Sequence, residues 1–281
     1  MRVSRAYFNR CEILAWAGLR LTEMNHLTVC IVAQNEQENL PRLLNSVKEI
    51  AEEVVVVDGG STDRTTQIAG ELGAKVFTRA FTNFAEQKNY AAAQASHEWI
   101  FVLDADEELS TELQDAVNKW KEMEPQFPVY EMARLTWYLG AWIRHSRWYP
   151  DWQRRIYRRD RATFSGIVHG ALRFEGRAGR LHGDILHYTI RNFSEHEAKL
   201  ERYTSDMAKE MFEQGKRTWR AAMWFATPWS WIHHFLLGGG FLDGYRGALI
   251  SQMAARGVRL KYAKLGKLVE AAQQTKRSGV A

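Results

Sequence analysis

An α/β fold with a doubly wound, mostly parallel sheet, followed by a helical, tryptophan-rich C-terminal appendage, is what three features of this 281-residue chain predict. Four short apolar runs alternate with helical patterns between Leu27 and Leu103. Acidic residues gather where those runs end. The last third leaves that pattern for long helical and aromatic stretches. Runs apolar on both faces suit parallel strands buried between helix layers, and βαβ alternation builds a doubly wound sheet.

The elements follow in order. Leu27 to Ala33 is apolar and β-branched, Val54 to Val57 is all valine, Ala74 to Phe77 is short, and Trp99 to Leu103 completes the set. Leu40, Leu43, Leu44, Val47 and Ile50 fall at helical spacing, with Asn35 read as the cap and Glu38 as its partner. A second helix is expected from about Ser61 to Leu72, with Gly73 at the C-terminal cap. A third runs from about Asn83 to Ser96 behind an Asn-x-x-Glu start.

Ligands of open α/β sheets bind beyond the carboxyl ends of the strands. Asp104 and Asp106 lie there, one small residue apart, and can point the same way. Such a pair repels unless a cation or a donor-rich ligand lies between, and hard oxygen donors suit Mg²⁺ or Mn²⁺. The plainer alternative is a solvated turn. Asp58, ending the second strand, suits ribose or base hydrogen bonding. Gly59 and Gly60 allow close backbone approach, though an ordinary turn reads the same way. No G-x-G-x-x-G follows a strand and no G-x-x-x-x-G-K-[ST] occurs, which sets aside nicotinamide and P-loop chemistry.

The series Ala33-Gln34-Asn35-Glu36, Val57-Asp58-Gly59-Gly60-Ser61-Thr62-Asp63, Gln87-Lys88-Asn89 and Asp104-Ala105-Asp106-Glu107-Glu108 resembles the family 2 inverting glycosyltransferases with the GT-A fold. The run from Trp148 to Arg159, with Val168-His169 and Leu186-His187-Tyr188, is similar to the WaaE/KdtX-type lipopolysaccharide core glucosyltransferases. The resemblance covers roughly Leu27 to Phe212. It implies a nucleoside-diphosphate sugar donor, most often a UDP-sugar, a divalent metal, Mg²⁺ or Mn²⁺, and a lipid-linked glycan acceptor such as lipopolysaccharide inner core. A hexose, glucose first, would be transferred.

By that resemblance Asn35, Glu36, Asp58, Lys88 and Asp104 bind the donor, and Asp106 ligates a metal bridging its phosphates, a Lewis-acid role. An inverting transfer needs a base on the face opposite the leaving group, and its transition state has oxocarbenium character. Asp151 is the candidate base, because related enzymes place an acidic residue just before a Gln/Arg-rich helix; capping that helix after Pro150 is the alternative. His169 is preferred to His187 as a further metal ligand because Gly170 beside it leaves room; a hydrogen-bonded core histidine is the plainer reading. The subgroup often has His-Glu where this chain has His169-Gly170, so no acidic role transfers to that position.

Arginines and aromatic residues interleave from Arg144 to Arg161. Trp148, Arg155 and Arg158 are candidates to hold the acceptor or a phosphate, since Arg forks match anionic oxygens and flat rings suit sugars. A nucleic-acid partner is set aside for want of any recognisable module. About half of these arginines are expected on a solvated face.

Composition agrees. A net charge of +5 suggests an anionic surface or substrate. Cys11 and Cys30 give no disulfide framework, in keeping with a reducing cytoplasm. The expected organisation is an extension over residues 1–24, a catalytic domain over 25–193 and a helical region over 194–281. The catalytic domain divides into a nucleotide half, about 25–108, and an acceptor half, about 109–193. The extension reads as a short amphipathic segment, with Met24 as an alternative start.

Ser194-Glu195-His196-Glu197 is read as a capping box opening a helix. Ala221 to Leu242 holds no Asp, Glu, Lys or Arg and is long enough to span a bilayer, but Pro228 and Gly238-Gly239-Gly240 argue against that. Trp224, Trp229, Trp231 and Phe235, flanked by Lys216, Arg217, Arg220 and Arg246, suit the membrane interface; packing onto the catalytic domain is the alternative. The expected location is cytoplasmic, peripheral on the inner face of the cytoplasmic membrane. Two rivals stand. A nucleotidyltransferase making nucleotide-sugars usually carries a Gly-rich, basic first loop that Gln34-Asn35-Glu36 lacks. A non-catalytic membrane-binding protein on a decayed transferase fold would not need Asp58, Asp104, Asp106 and Asp151 intact.

Overall fold

The computed structural model of the chain describes residues 24–166, 170–190 and 192–278. The expected extension up to residue 23, Cys11, Val168 and His169 lie outside the described residues. The chain forms two compact units. One comprises residues up to Ala105 with Leu109–Glu131 and Arg154–Gly183; the other comprises Asp106–Glu108, Met132–Gln153 and the chain from Asp184 onward.

In the first unit, β1 (Leu27–Ala33), β2 (Glu53–Asp58), β3 (Lys75–Thr78) and β4 (Trp99–Asp104) stand in the order β3-β2-β1-β4 with every neighbour parallel. This is the mixed α/β architecture, mostly parallel in its nucleotide half, that the alternation predicts. Ala33 lies beside Asp58 and Val32 beside Asp104, so acidic residues far apart in sequence reach one end of the sheet. Cys30, Val55, Val57, Ile100 and Val102 join Ala91 and Ala92 in a buried core.

Helices α1 (Leu40–Val47), α2 (Thr65–Glu71), α3 (Phe84–Gln94) and α4 (Thr111–Lys121) connect or follow these strands. Asn83 caps α3 as the Asn-x-x-Glu pattern predicts, accepting from the Glu86 N–H at 2.9 Å. The other two expected starts move. Asn35 does not cap α1, which begins at Leu40 behind Asn39. Asn35 is instead left-handed, φ 57°, and its side-chain oxygen accepts from the Thr62 N–H at 2.8 Å. Likewise α2 begins at Thr65 rather than Ser61, because Ser61 is engaged by Asp58, and Asp63 accepts from the Thr65 N–H at 2.9 Å.

The largest correction concerns residues 151–158. They form a strand, β8 (Asp151–Arg158), not a Gln/Arg-rich helix. Trp152 and Arg154 are exposed, whereas Arg155, Ile156 and Tyr157 are buried; this is strand alternation running into a buried segment. Its second half pairs antiparallel with β4, Phe101 opposite Ile156 and Trp99 opposite Arg158. Asp151 therefore caps no helix. A hairpin of β9 (Ala162–Ser165) and β10 (Ala171–Phe174) completes this unit.

In the second unit the strand order is β8-β6-β11-β5, through those parts of β5 (Glu107–Leu109), β6 (Val129–Tyr138), β8 and β11 (Ala178–Ile190) that belong to it. The short β7 (Ala141–Ile143) pairs antiparallel with β6. Helix α5 (Phe193–Glu213) is capped two residues earlier than expected, because Asn192 rather than Ser194 is its cap and accepts from the Glu195 N–H at 2.9 Å. The uncharged stretch breaks up towards its glycines, while Pro228 stays inside a continuous helix: α6 (Arg220–Ile232), a π-turn over His233–Leu237 and a 3₁₀ turn over Gly240–Asp243. The long α7 (Gly244–Ser278) packs along α5 and α6. Among the described residues no helix is long and apolar enough to cross a membrane.

Candidate active site

The strand ends of the first unit carry two linked clusters, one on each side of β1. Asp58 is 2% exposed and turns its carboxylate onto its own loop, accepting from the N–H groups of Gly60 and Ser61, each at 3.0 Å, and from the Ser61 hydroxyl. Gly60 has φ 101°, a conformation open to glycine, which accounts for the second of the paired glycines. The Ser61 hydroxyl accepts from the Asn35 N–H at 2.8 Å, and Glu36 accepts from the Asn39 side chain at 2.7 Å. The first and second strand-end loops are thus stitched together.

The other cluster is ionic. Asp104 receives Lys88 Nζ on one oxygen and Arg155 Nη2 on the other, each at 2.8 Å. Both cations are almost wholly buried, Lys88 on α3 and Arg155 on β8. Burial alone would raise the Asp104 carboxyl; the Arg155 and Lys88 charges outweigh it and hold the group well below the usual carboxylate range. The neighbours of Lys88 in the Gln-Lys-Asn series hold the helix in place. Gln87 donates to the Arg79 carbonyl at 2.9 Å, and Asn89 exchanges two 2.9 Å bonds with the Phe164 backbone.

The second unit contains a cavity of about 350 Å³, lined among others by Arg134, Arg147, Trp148, Asp151, His187 and Lys199. Asp151 accepts from Arg134 Nε and Nη2 at 3.0 and 2.6 Å on one oxygen and from Gln153 at 2.8 Å on the other. Arg134 also stands 3.6 Å from the fully buried Glu107. His187 Nε2 lies 3.4 Å from an Asp106 oxygen, and its buried Nδ1 has no hydrogen-bond partner among the described residues. The Tyr188 N–H donates to the Asp106 carbonyl at 2.9 Å and its hydroxyl to Glu108 at 3.0 Å, so β11 fixes the acidic segment. Trp148 packs edge-on against Tyr138, whose hydroxyl meets His196 Nδ1 at 2.8 Å. Burial, then the Lys199 charge, pushes the His196 imidazole down.

Asn35, Glu36, Asp58, Lys88, Asp104 and Arg155 therefore collect at the strand ends of one unit, with Arg155 facing Asp104. Asp106, Trp148 and Asp151 fall in the other. Arg158 is not brought to either cluster: it pairs with Glu98 and Asp160 beside the opposite end of β4. Sequence reading missed Arg134, because a lone Arg within a long strand carries no signal of what it faces. It also missed His196, absorbed into a capping pattern.

Residues 28–175 match the family model Glycosyl transferase family 2, and the chain belongs to that family. The chain is 30% identical to an uncharacterized glycosyltransferase of Rickettsia typhi over 87% of its own length and 88% of the relative's. It is 25% identical to the lipopolysaccharide core biosynthesis glycosyltransferase LpsC of Rhizobium meliloti, over 84% and 93% of the two chains. A crystal structure of S. aureus TarS 1-349 in complex with UDP-GlcNAc is 18% identical, covering 89% of this chain and 92% of that one, with TM-score 0.42. The protein is a glycosyltransferase.

The ion cluster gives a pH test. A carboxyl held below its unfolded value contributes stability fully at neutral pH and loses it as pH falls through the folded value. Arg155→Met takes away one of the two cations that meet Asp104. It should cost roughly 2–3 kcal/mol at pH 7 and start acid unfolding at a higher pH than in the wild type. Urea melts across pH 3–7 measure both effects.

Proposed function

We propose that the protein is a metal-dependent inverting transferase moving a hexose, glucose first, from a UDP-sugar to a lipid-linked glycan such as lipopolysaccharide inner core. The observation that carries this reading is Asp151. It is a partly exposed carboxylate facing a cavity, oriented by Arg134 and Gln153, in the same unit as Asp106 and His187. Oδ2 accepts both Arg134 bonds, while Oδ1 accepts only from Gln153 and keeps a lone pair, so the carboxylate can still take a proton there.

Asp106 and His187 fit a divalent ion. One offers a carboxylate oxygen and the other an imidazole whose second nitrogen is unpartnered, 3.4 Å apart at their nearest atoms. Mg²⁺ needs only one or two protein ligands besides substrate phosphates. When bound, the ion supplies charge neutralisation for the departing nucleoside diphosphate. Asp151 takes the proton of the acceptor hydroxyl while that oxygen bonds to the anomeric carbon from the face opposite the leaving group. Arg134, losing its ionised partner at that moment, keeps Glu107 beside it. Trp148 offers a flat ring for the acceptor sugar. Asp104, Lys88 and the Asn35–Ser61 loop would receive the donor.

A lipid-linked acceptor is supported by the exposed apolar face of the C-terminal region. Trp224 is 75% exposed, Phe225 78% and Leu237 63%, beside Lys216, Arg217 and Arg220. Trp231 and Phe235 stack on each other at 4.7 Å along the same stretch. The apolar face would dip into the interface while the basic residues meet anionic headgroups. The relative LpsC bears a lipopolysaccharide name, which points the same way.

Asp151→Asn should leave UDP and Mn²⁺ affinity near normal but lower transfer about 10² to 10⁴-fold; near-wild-type turnover would place the base elsewhere. Asp106→Ala should make UDP binding indifferent to Mn²⁺ by titration calorimetry, and a preserved metal dependence rejects the ligand assignment. The wild type should sediment with phosphatidylglycerol-containing liposomes, with salt weakening but not abolishing the association. The Trp224→Ser/Trp229→Ser double variant should stay in the supernatant. Wild type that ignores such liposomes at low salt removes the membrane claim and leaves the transferase claim standing.

A further inference from the structure

The loop before Asp151 is held by an unusual clasp. Asp243, its side chain only 6% exposed, accepts from the N–H groups of Arg144 and His145 at 3.3 and 3.2 Å. It also accepts from the Ser146 hydroxyl at 2.7 Å and stands 3.1 Å from His145 Nδ1. The Ser146 N–H donates to the Gly238 carbonyl at 2.8 Å, and Ser146 is fully buried. Ser146 and Arg147 are both left-handed, φ 57° and 59°, a conformation that non-glycine residues keep only when their surroundings enforce it.

The enforced conformation has a result. Arg147 runs across Gly238, where a Cβ would stand 2.6 Å from its Cγ, and lines the same cavity as Trp148 and Asp151. The other two long cations there have carboxylates of their own: Arg134 has Asp151 and Glu107, and Lys199 has Glu195 at 3.5 Å. Among the described residues no carboxylate pairs with Arg147. Arg147 is exposed, but its backbone is held and its stem lies against Gly238, so its guanidinium stands at the cavity beside a candidate base as a fork for anionic oxygens.

We propose that the cavity takes an acceptor sugar bearing an anionic group, phosphate or carboxylate, bound by Arg147, and that Asp243 is the positioning residue that presents Arg147 to it. This rests on the transferase reading above and names the acceptor's chemistry. Neutral glycans leave the guanidinium unmatched.

The test uses the full chain saturated with UDP and Mn²⁺, so that the donor's own phosphate site is filled. Three probes are compared by ligand-observed NMR titration: methyl glucoside, methyl glucoside 6-phosphate and methyl glucuronide. Either charged probe, or both, should bind at least about tenfold more tightly than the neutral one, the worth of a charge-assisted bond, and which one gains identifies the anion. Arg147→Ala should erase that preference, Arg147→Lys should keep part of it, and Asp243→Asn should weaken it. In transfer assays Arg147→Ala should raise the acceptor KM far more than it lowers kcat, as loss of a binding contact does. Equal binding of all three probes to the wild type, or a preference that survives Arg147→Ala, overturns the proposal. If Asp243→Asn fails to fold, Ser146→Ala tests the clasp through the same preference. Absence of UDP binding would instead reject the transferase reading, and the probe comparison, repeated without UDP, still decides the anion subsite.

Discussion

A carboxylate at the end of a buried strand is costly unless charge meets it, and Asp104 is met twice. Lys88 arrives from a helix and Arg155 from an antiparallel strand, so one ionic contact fixes α3, β4 and β8 against each other. Removing either partner leaves a charge in a place built for three. The position of the second half of β8 beside β4 depends on this neutralisation. The interlocked hydrogen bonds of Asp58, Ser61 and Asn35 do the same work for the neighbouring loops without net charge.

The second unit organises its polar groups by a different economy. Arg134 serves two carboxylates, one partly open at Asp151 and one fully buried at Glu107. A carboxylate oriented by a shared cation stays aligned without being sealed from solvent. Tyr188 pins the Asp106–Glu108 segment through backbone and side chain, so the histidine next to it in sequence stands beside Asp106 as a consequence of strand register.

Much of this was legible in advance, and the reasons differ by element. The four parallel strands were readable because strands buried on both faces leave uninterrupted apolar runs. The Asn83 cap was readable because its reciprocal Glu86 stands three residues on. Asn35, equally followed by an acid, misled, because the second strand-end loop claims its side chain and no local pattern reports a partner 27 residues away. Residues 151–158 misled for a related reason: Gln and Arg favour helices locally, while pairing with β4 decides the outcome. The residues that gather at the strand ends, Asn35, Glu36, Asp58, Lys88 and Asp104, stood out through a resemblance of motifs. Arg134 and the clasp of Asp243 depend on chain segments about 17 and 97 residues apart, and only folding reveals them.

The segment from Leu237 to Asp243 turns outward, inward, outward and inward again within seven residues. Leu237 and Leu242 face outward while Gly240 and Asp243 are packed inward. Such a stretch has no slack in length. Losing or gaining one residue there would trade the outward leucines for the inward acid, exposing the carboxylate and forcing a hydrocarbon chain against Ser146. Substitutions on the outer face are therefore easier to accommodate than any insertion or deletion, and variation among relatives of this protein is expected to respect the spacing more strictly than the side chains.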